Sequence, residues 1–284
     1  MKNEKEEIVY HYCSLEGFLS IIQNSSIWMF DISKSNDCLE RSYIYNKIKN
    51  RIESELEITP EDLHAWKTGC KVNEVSDYLM LTYVACFSER KDCLSQWRGY
   101  ADDGKGISIG FCKKMLESLP KIMHHKLSFS KVIYDENQQE KYVNKVVEEI
   151  FRNMEHKGIG KAGIELGANH KDEFAIYKNP SFEEEREWRL ILNSYPKWKE
   201  IKVGDMSFTE PTFRVSNGRL ISYVELSFAN IKRDFVKEIW IGPKSEVELW
   251  DIIHVLWRYG YYDEVDDYNE KHPILITKSS SSYR

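Results

Sequence analysis

A chain of 284 residues, 42% apolar and 30% charged, is long enough to bury a core without staples and too apolar to be disordered. Its net charge of −6 argues against a broad non-specific nucleic-acid surface, though not against a local basic cleft. No apolar run reaches membrane-spanning length and the opening MKNEKEEIVYHY is charged, so a cytoplasmic protein without membrane contact is expected. None of the six cysteines forms a C-x-x-C pair, and His124 and His125 lie outside any zinc-like spacing, which implies reduced thiols and no metal.

Residues 8–12, IVYHY, alternate like a short strand. Ser14 then caps a helix in which Leu15, Phe18, Leu19 and Ile22 make an amphipathic stripe. A strand is expected at 27–32, and Asn36-Asp37 marks a turn or helix start. Residues 39–58 and 61–79 are charged, periodic and helical, and LMLTYVACFS at 79–88 reads as a buried strand. A helical turn at 95–100, a tight turn at 102–106 and a strand at 107–111 follow. KVIY at 131–134 reads as a strand, 136–157 as a long helix, and a second helix continues to about 176. Strands at 187–193, 211–216, 219–228, 237–243 and 273–279, with a helix at 247–260, complete the chain. The pattern predicts one α+β domain over 1–284, with a mainly antiparallel mixed sheet and helical insertions near 36–78 and 136–176.

Three stretches carry candidate chemistry. In YHYCS, His11 precedes a helix N-terminus, where an anion is favoured. It reads either as a ribose ligand beside a bound phosphate or as a buried histidine with one hydrogen bond. In SQWRGYADDGKG, Trp97 and Tyr100 lie one helical turn apart and Arg98 offers a fork for phosphate or carboxylate. The plainer reading there is a capping turn with packed aromatics. In FEEEREWRLI, an extended 183–192 would put Glu183, Glu185, Glu187 and Arg189 on one face. Such a row needs a positive group or a polar ligand to offset it. Otherwise it is a solvated edge strand with Arg189 paired to Glu187. A histidine, an arginine among aromatics and a glutamate row suit a ligand with phosphates, sugar hydroxyls and a flat ring, as in a dinucleotide. No G-x-G-x-x-G is present, so a Rossmann mode is not indicated.

The series YHYCSLEGFLSII, CLSQWRGYADDGKGISIGF, FEEEREWRLI, EIWIGP and the terminal S-x-S-Y-R resembles the bacterial domain-of-unknown-function family numbered 2971, over residues 8–284. Ser282 stands where that family usually has proline. The opening strand and helix are also similar to those of ADP-ribosyltransferase-like toxins. That second resemblance implies an ADP-ribosyltransferase-like core and NAD as substrate, with ADP-ribose passed to a protein or nucleic acid, or NAD hydrolysed. A toxin or phage-defence effector would fit. It implies catalytic roles for Glu187, Glu185 and His11. Glu187 would stabilise the oxocarbenium-like transition state and Glu185 would activate the acceptor. The implied nucleotide-binding set is Tyr12, Ser14, Trp97, Arg98, Tyr100, Arg189 and Arg214. Two other readings stay open: a non-catalytic nucleotide- or nucleic-acid-binding module, and a metal-independent hydrolase or nuclease using the glutamates and His11.

Overall fold

A computed structural model describes residues 7–34, 42–56, 59–76, 81–123, 127–194, 198–216, 218–262 and 274–283. The Asn36-Asp37 turn, Cys38, His124 and His125 lie outside them. Strand β1 (Ile8–Cys13) leads into α1 (Leu15–Asn24), which the Ser14 Oγ caps by accepting from the Gly17 N–H at 3.1 Å. Strand β2 (Ser26–Asp31) follows, then α2 (Tyr43–Glu55) and α3 (Pro60–Ser76). Next come β3 (Leu81–Ser88), α4 (Leu94–Tyr100), β4 (Ile107–Cys112), α5 (Lys113–Met123) and β5 (Leu127–Lys131). Helices α6 (Glu136–Lys157) and α7 (Ile159–Phe174) precede β6 (Glu187–Ser194). The rest is β7 (Ile201–Val203), β8 (Met206–Phe208), β9 (Thr212–Ser216), β10 (Arg219–Ser227), α8 (Lys232–Phe235), β11 (Val236–Ile241), α9 (Leu249–Arg258) and β12 (Leu275–Lys278).

The strands form one sheet, antiparallel except for the parallel β11–β12 pair, so the expected α+β class with a mainly antiparallel sheet is observed. The strand expected at 131–134 ends at Lys131 instead. Phe129 sits opposite Leu190 in the ladder, whereas Ile133 makes a single bridge to Tyr177. Helix α5, with Pro120 inside it, and the short elements β7, β8 and α8 were not expected from the sequence. Among the described residues no helix is long and apolar enough to cross a membrane.

The sheet forks at β3. One edge of β3 pairs with β6 along its whole length; the other pairs with β1 at Ser88 and with β2 at Tyr83 and Val84. One sheet face carries Val9, Phe87, Ile109, Phe111 and Leu190 and is covered by α1, α5 and α9. The opposite face carries Tyr10, Tyr12 and Trp240, on which Trp97 of α4 packs, and Val84 and Ile191, which meet Ala175. The two insertions share one core. Ile44, Ile48 and Ile52 of α2 pack with Val143, Val146 and Ile150 of α6, and Trp66 of α3 packs with Ala162 and Leu166 of α7. Helices α3 and α7 cross with backbones touching. A Cβ on Gly69 would lie 2.1 Å from the Gly160 carbonyl oxygen. Alanine there gains about 1 kcal/mol in helix propensity, but it must displace rigid backbone, an overpacking cost of about 1–3 kcal/mol. Gly69→Ala is therefore expected to destabilise the protein, seen as a lowered thermal midpoint.

Candidate active site

The second and third candidate stretches meet, but not as a strand row. Residues Pro180–Glu185 form a 3-10 turn, Arg186 turns left-handed at φ 43°, and extension begins only at Glu187. Pro180 at the start of the turn and the left-handed Arg186 break the extended path. The expectation that Glu183 to Arg189 share one strand face is thus corrected, and Glu183 is exposed. The turn nevertheless folds Glu185 back beside Glu187, and both are buried at 8% and 5% exposure.

The compensating positive charge belongs to the chain itself. Lys178 Nζ donates to Glu185 Oε2 at 2.6 Å and to Glu187 Oε2 at 3.1 Å. Arg189 adds a fork to Glu187, with Nε to Oε1 at 2.8 Å and Nη2 to Oε2 at 2.9 Å, and donates from Nη1 to the Ala175 carbonyl at 2.6 Å. The Glu187 amide donates to the Tyr134 hydroxyl at 3.3 Å. Lys178 is delivered by the helical bundle: the fully buried Gln139 of α6 donates to the carbonyls of Ile133 and Lys178 at 3.0 and 2.9 Å. The sequence reading missed Lys178. Its only signal was that the glutamates required a cation.

Burial pushes the Glu187 carboxyl up, yet Arg189 and then Lys178 outweigh it and hold the group down at about 2. Burial raises Glu185, with Lys178 pulling the other way and Glu187 pushing with it. The two therefore oppose each other in pH dependence. Glu187 has a depressed value, so its contribution is present above the ordinary 4.5 and is lost as pH falls toward 2. Glu185 has a raised value, so its contribution is present at low pH and lost as pH rises through that value. Urea unfolding between pH 6 and 3 should show the wild type losing stability that Glu187→Gln does not lose, on the order of 2 kcal/mol over that window.

Glu185 faces a shallow cavity of about 370 Å³, lined also by Ser95, Gly99, Tyr100, Ser181, Phe182 and Glu184. The Tyr100 hydroxyl donates to Glu185 Oε1 at 3.1 Å while the residue as a whole stays 42% exposed. Ser88 Oγ donates to the Glu185 carbonyl at 2.6 Å, fixing the end of the turn to β3. Arg90 lies 3.8 Å from Glu184, one of the lining residues.

The remaining candidates lie elsewhere or serve the fold. The registers Tyr10–Ser88 and Ser88–Glu187 put Tyr10 on the sheet face of Glu187, and strand alternation puts His11 on the other. His11 sits at the fork, where its Nδ1–H donates to the Cys86 carbonyl at 2.9 Å, and burial lowers its pKa. Since a carbonyl only accepts, Nδ1 carries the proton. Tyr12 and Trp97 pack edge-to-face at 4.8 Å, and Trp97 is fully buried, so neither ring lines the cavity. Ser14 is the cap of α1. Arg189 is 1% exposed and turned to Glu187. Arg98 is exposed, its guanidinium 5.7 Å from the Tyr283 ring. Arg214 lies on β9 over Trp28, four strands from β6, roughly 19 Å at ordinary strand spacing.

Residues 96–190 match a family described as proteins of unknown function, DUF2971. The match is narrower than the 8–284 implied by the sequence motifs. It contains Tyr100, Lys178, Glu185, Glu187 and Arg189, while His11 and Arg214 lie outside it. No curated protein and no solved structure matches the chain.

Proposed function

We propose that the cavity between α4 and the 180–185 turn binds a nucleotide and acts on its N-glycosidic bond, with NAD as substrate and Glu185 as the carboxylate facing it. The observation that carries this reading is the buried Glu185 carboxylate at the cavity wall, held from two sides by Tyr100 and Lys178. Tyr100 and Phe182 are exposed beside it and their rings suit a flat base, and Ser95 and Ser181 offer hydroxyls to a sugar. Arg90 beside Glu184 suits a phosphate. The likeness of the opening strand and helix to ADP-ribosyltransferase-like toxins adds to it, without His11 as a ribose ligand.

In this reaction the bond between the ribose C1′ and nicotinamide breaks and its electron pair leaves with nicotinamide. Positive charge grows on the sugar, where a fixed carboxylate is worth most. Water or an acceptor group then bonds to C1′ and gives up a proton, which Glu185 is placed to take. Glu187, locked by two cations, orients Lys178 and does not touch substrate. The reading assigns the protein to the cytoplasm, where thiols stay reduced.

Nicotinamide release from NAD by the purified protein, alone and with cell lysate, tests the proposal. Release in either condition supports it, and release only with lysate indicates a macromolecular acceptor. The Lys178–Glu185 contact of 2.6 Å favours a second reading, ligand binding without turnover, because a neutralised carboxylate stabilises a cation less. NAD that raises the thermal midpoint yet releases no nicotinamide would select that reading.

A further inference from the structure

The segment after β12 is docked along its length. Ser279 Oγ donates to Asp92 Oδ1 at 2.6 Å, and the Ser280 amide and hydroxyl donate to Asp92 Oδ2 at 3.1 and 3.3 Å. Asp92 Oδ1 also accepts from the indole N–H of Trp97 at 2.7 Å, so one carboxylate joins this segment to the centre of α4. Farther on, the Tyr283 hydroxyl donates to Asp103 Oδ1 at 2.7 Å, and Lys244 donates to Asp103 Oδ2 at 2.9 Å. The Tyr283 ring lies near two cations, 3.9 Å from Lys244 Nζ and 5.7 Å from the Arg98 guanidinium.

The turn it holds is strained. Asp102, Asp103 and Gly104 have φ values of 48°, 52° and 90°, and two consecutive left-handed non-glycine residues persist only where neighbours fix them. This turn closes α4, and α4 supplies Ser95, Gly99 and Tyr100 to the cavity. We infer that residues 279–283 are a strap that sets the position of the α4 wall, with Asp92 as a positioning residue of the site. As a statement about the site's chemistry, this rests on the reading under Proposed function.

The test is amide hydrogen exchange on the intact protein and on four variants: a chain ending at Lys278, Asp92→Asn, Tyr283→Ala and Tyr283→Phe. The strap predicts that residues 94–104 exchange about tenfold faster in the first three. It predicts near-native exchange in Tyr283→Phe, which keeps the ring near its cations, and unchanged β3 and β6 in all four. It also predicts a KM for NAD raised more than kcat is lowered in the shortened chain. Native protection of 94–104 in the shortened chain would overturn it, as would an even loss of protection across the sheet. If no variant and no wild type turns over NAD while 94–104 alone loosens, the strap stands and the assigned reaction falls.

Discussion

Arg189→Ala is expected to cost about 3–5 kcal/mol, the ordinary range for removing one partner of a buried ion pair, and to lower the thermal midpoint by roughly 10 °C. The side chain is 1% exposed, so solvent cannot replace it. Its loss leaves Glu187 with Lys178 as its remaining cation, while Lys178 must also serve Glu185. It also strips a donor from the Ala175 carbonyl, where the chain leaves α7. The double variant Glu187→Leu with Arg189→Met should recover much of the loss, because hydrophobic replacement of a whole buried pair is often neutral. A double variant as unstable as Arg189→Ala would show that packing, not charge pairing, sets the cost. Thermal melts of the three proteins decide it.

Glu185→Gln should separate chemistry from folding. Loss of the carboxylate is expected to lower nicotinamide release by roughly 100-fold or more, with the fold kept, since glutamine can still accept from Tyr100 and Lys178. Glu187→Gln should do the reverse. It removes a carboxylate held at about 2 by its cations, so the thermal midpoint falls first and any activity loss tracks the folded fraction. Measuring release per folded molecule distinguishes the two. Equal per-molecule activity for Glu185→Gln and wild type would remove Glu185 from the mechanism.

These expectations differ from the sequence reading in which glutamate reacts, and the reason is local. The E-x-E spacing suggested two carboxylates on one strand face. Pro180 and the left-handed Arg186 instead make a turn, so Glu185 arrives at the cavity by folding back. What alternation and caps govern was legible: the Ser14 cap, the long helices and most strand positions. That SQWRGY and FEEEREWR meet was not legible, because alternation does not say which segments touch; the Tyr100–Glu185 contact joins them. Lys178 was not legible either, since its arrival depends on Gln139 and a single bridge between Ile133 and Tyr177, contacts with no periodic trace in the sequence. Nor was the fork at β3 legible, because alternation fixes which residues face a core but not which strands share an edge. His11 looked chemical for the same reason. It donates to the Cys86 carbonyl at that fork.

The interleaving of strands has a consequence for dissection of the protein. The stretch similar to DUF2971 ends within β6 and looks, by length, like a unit that could be cut out. Within the sheet, however, its β4 lies between β1 and β11, and its β6 leans on β3. Its α7 crosses α3. These neighbours come from before it or after it in the chain. Excised, it would expose three strand edges and an apolar helix face at once, the condition under which chains aggregate rather than fold. Mutagenesis in the intact chain is therefore the sound route to this site, and a minimal fragment is not.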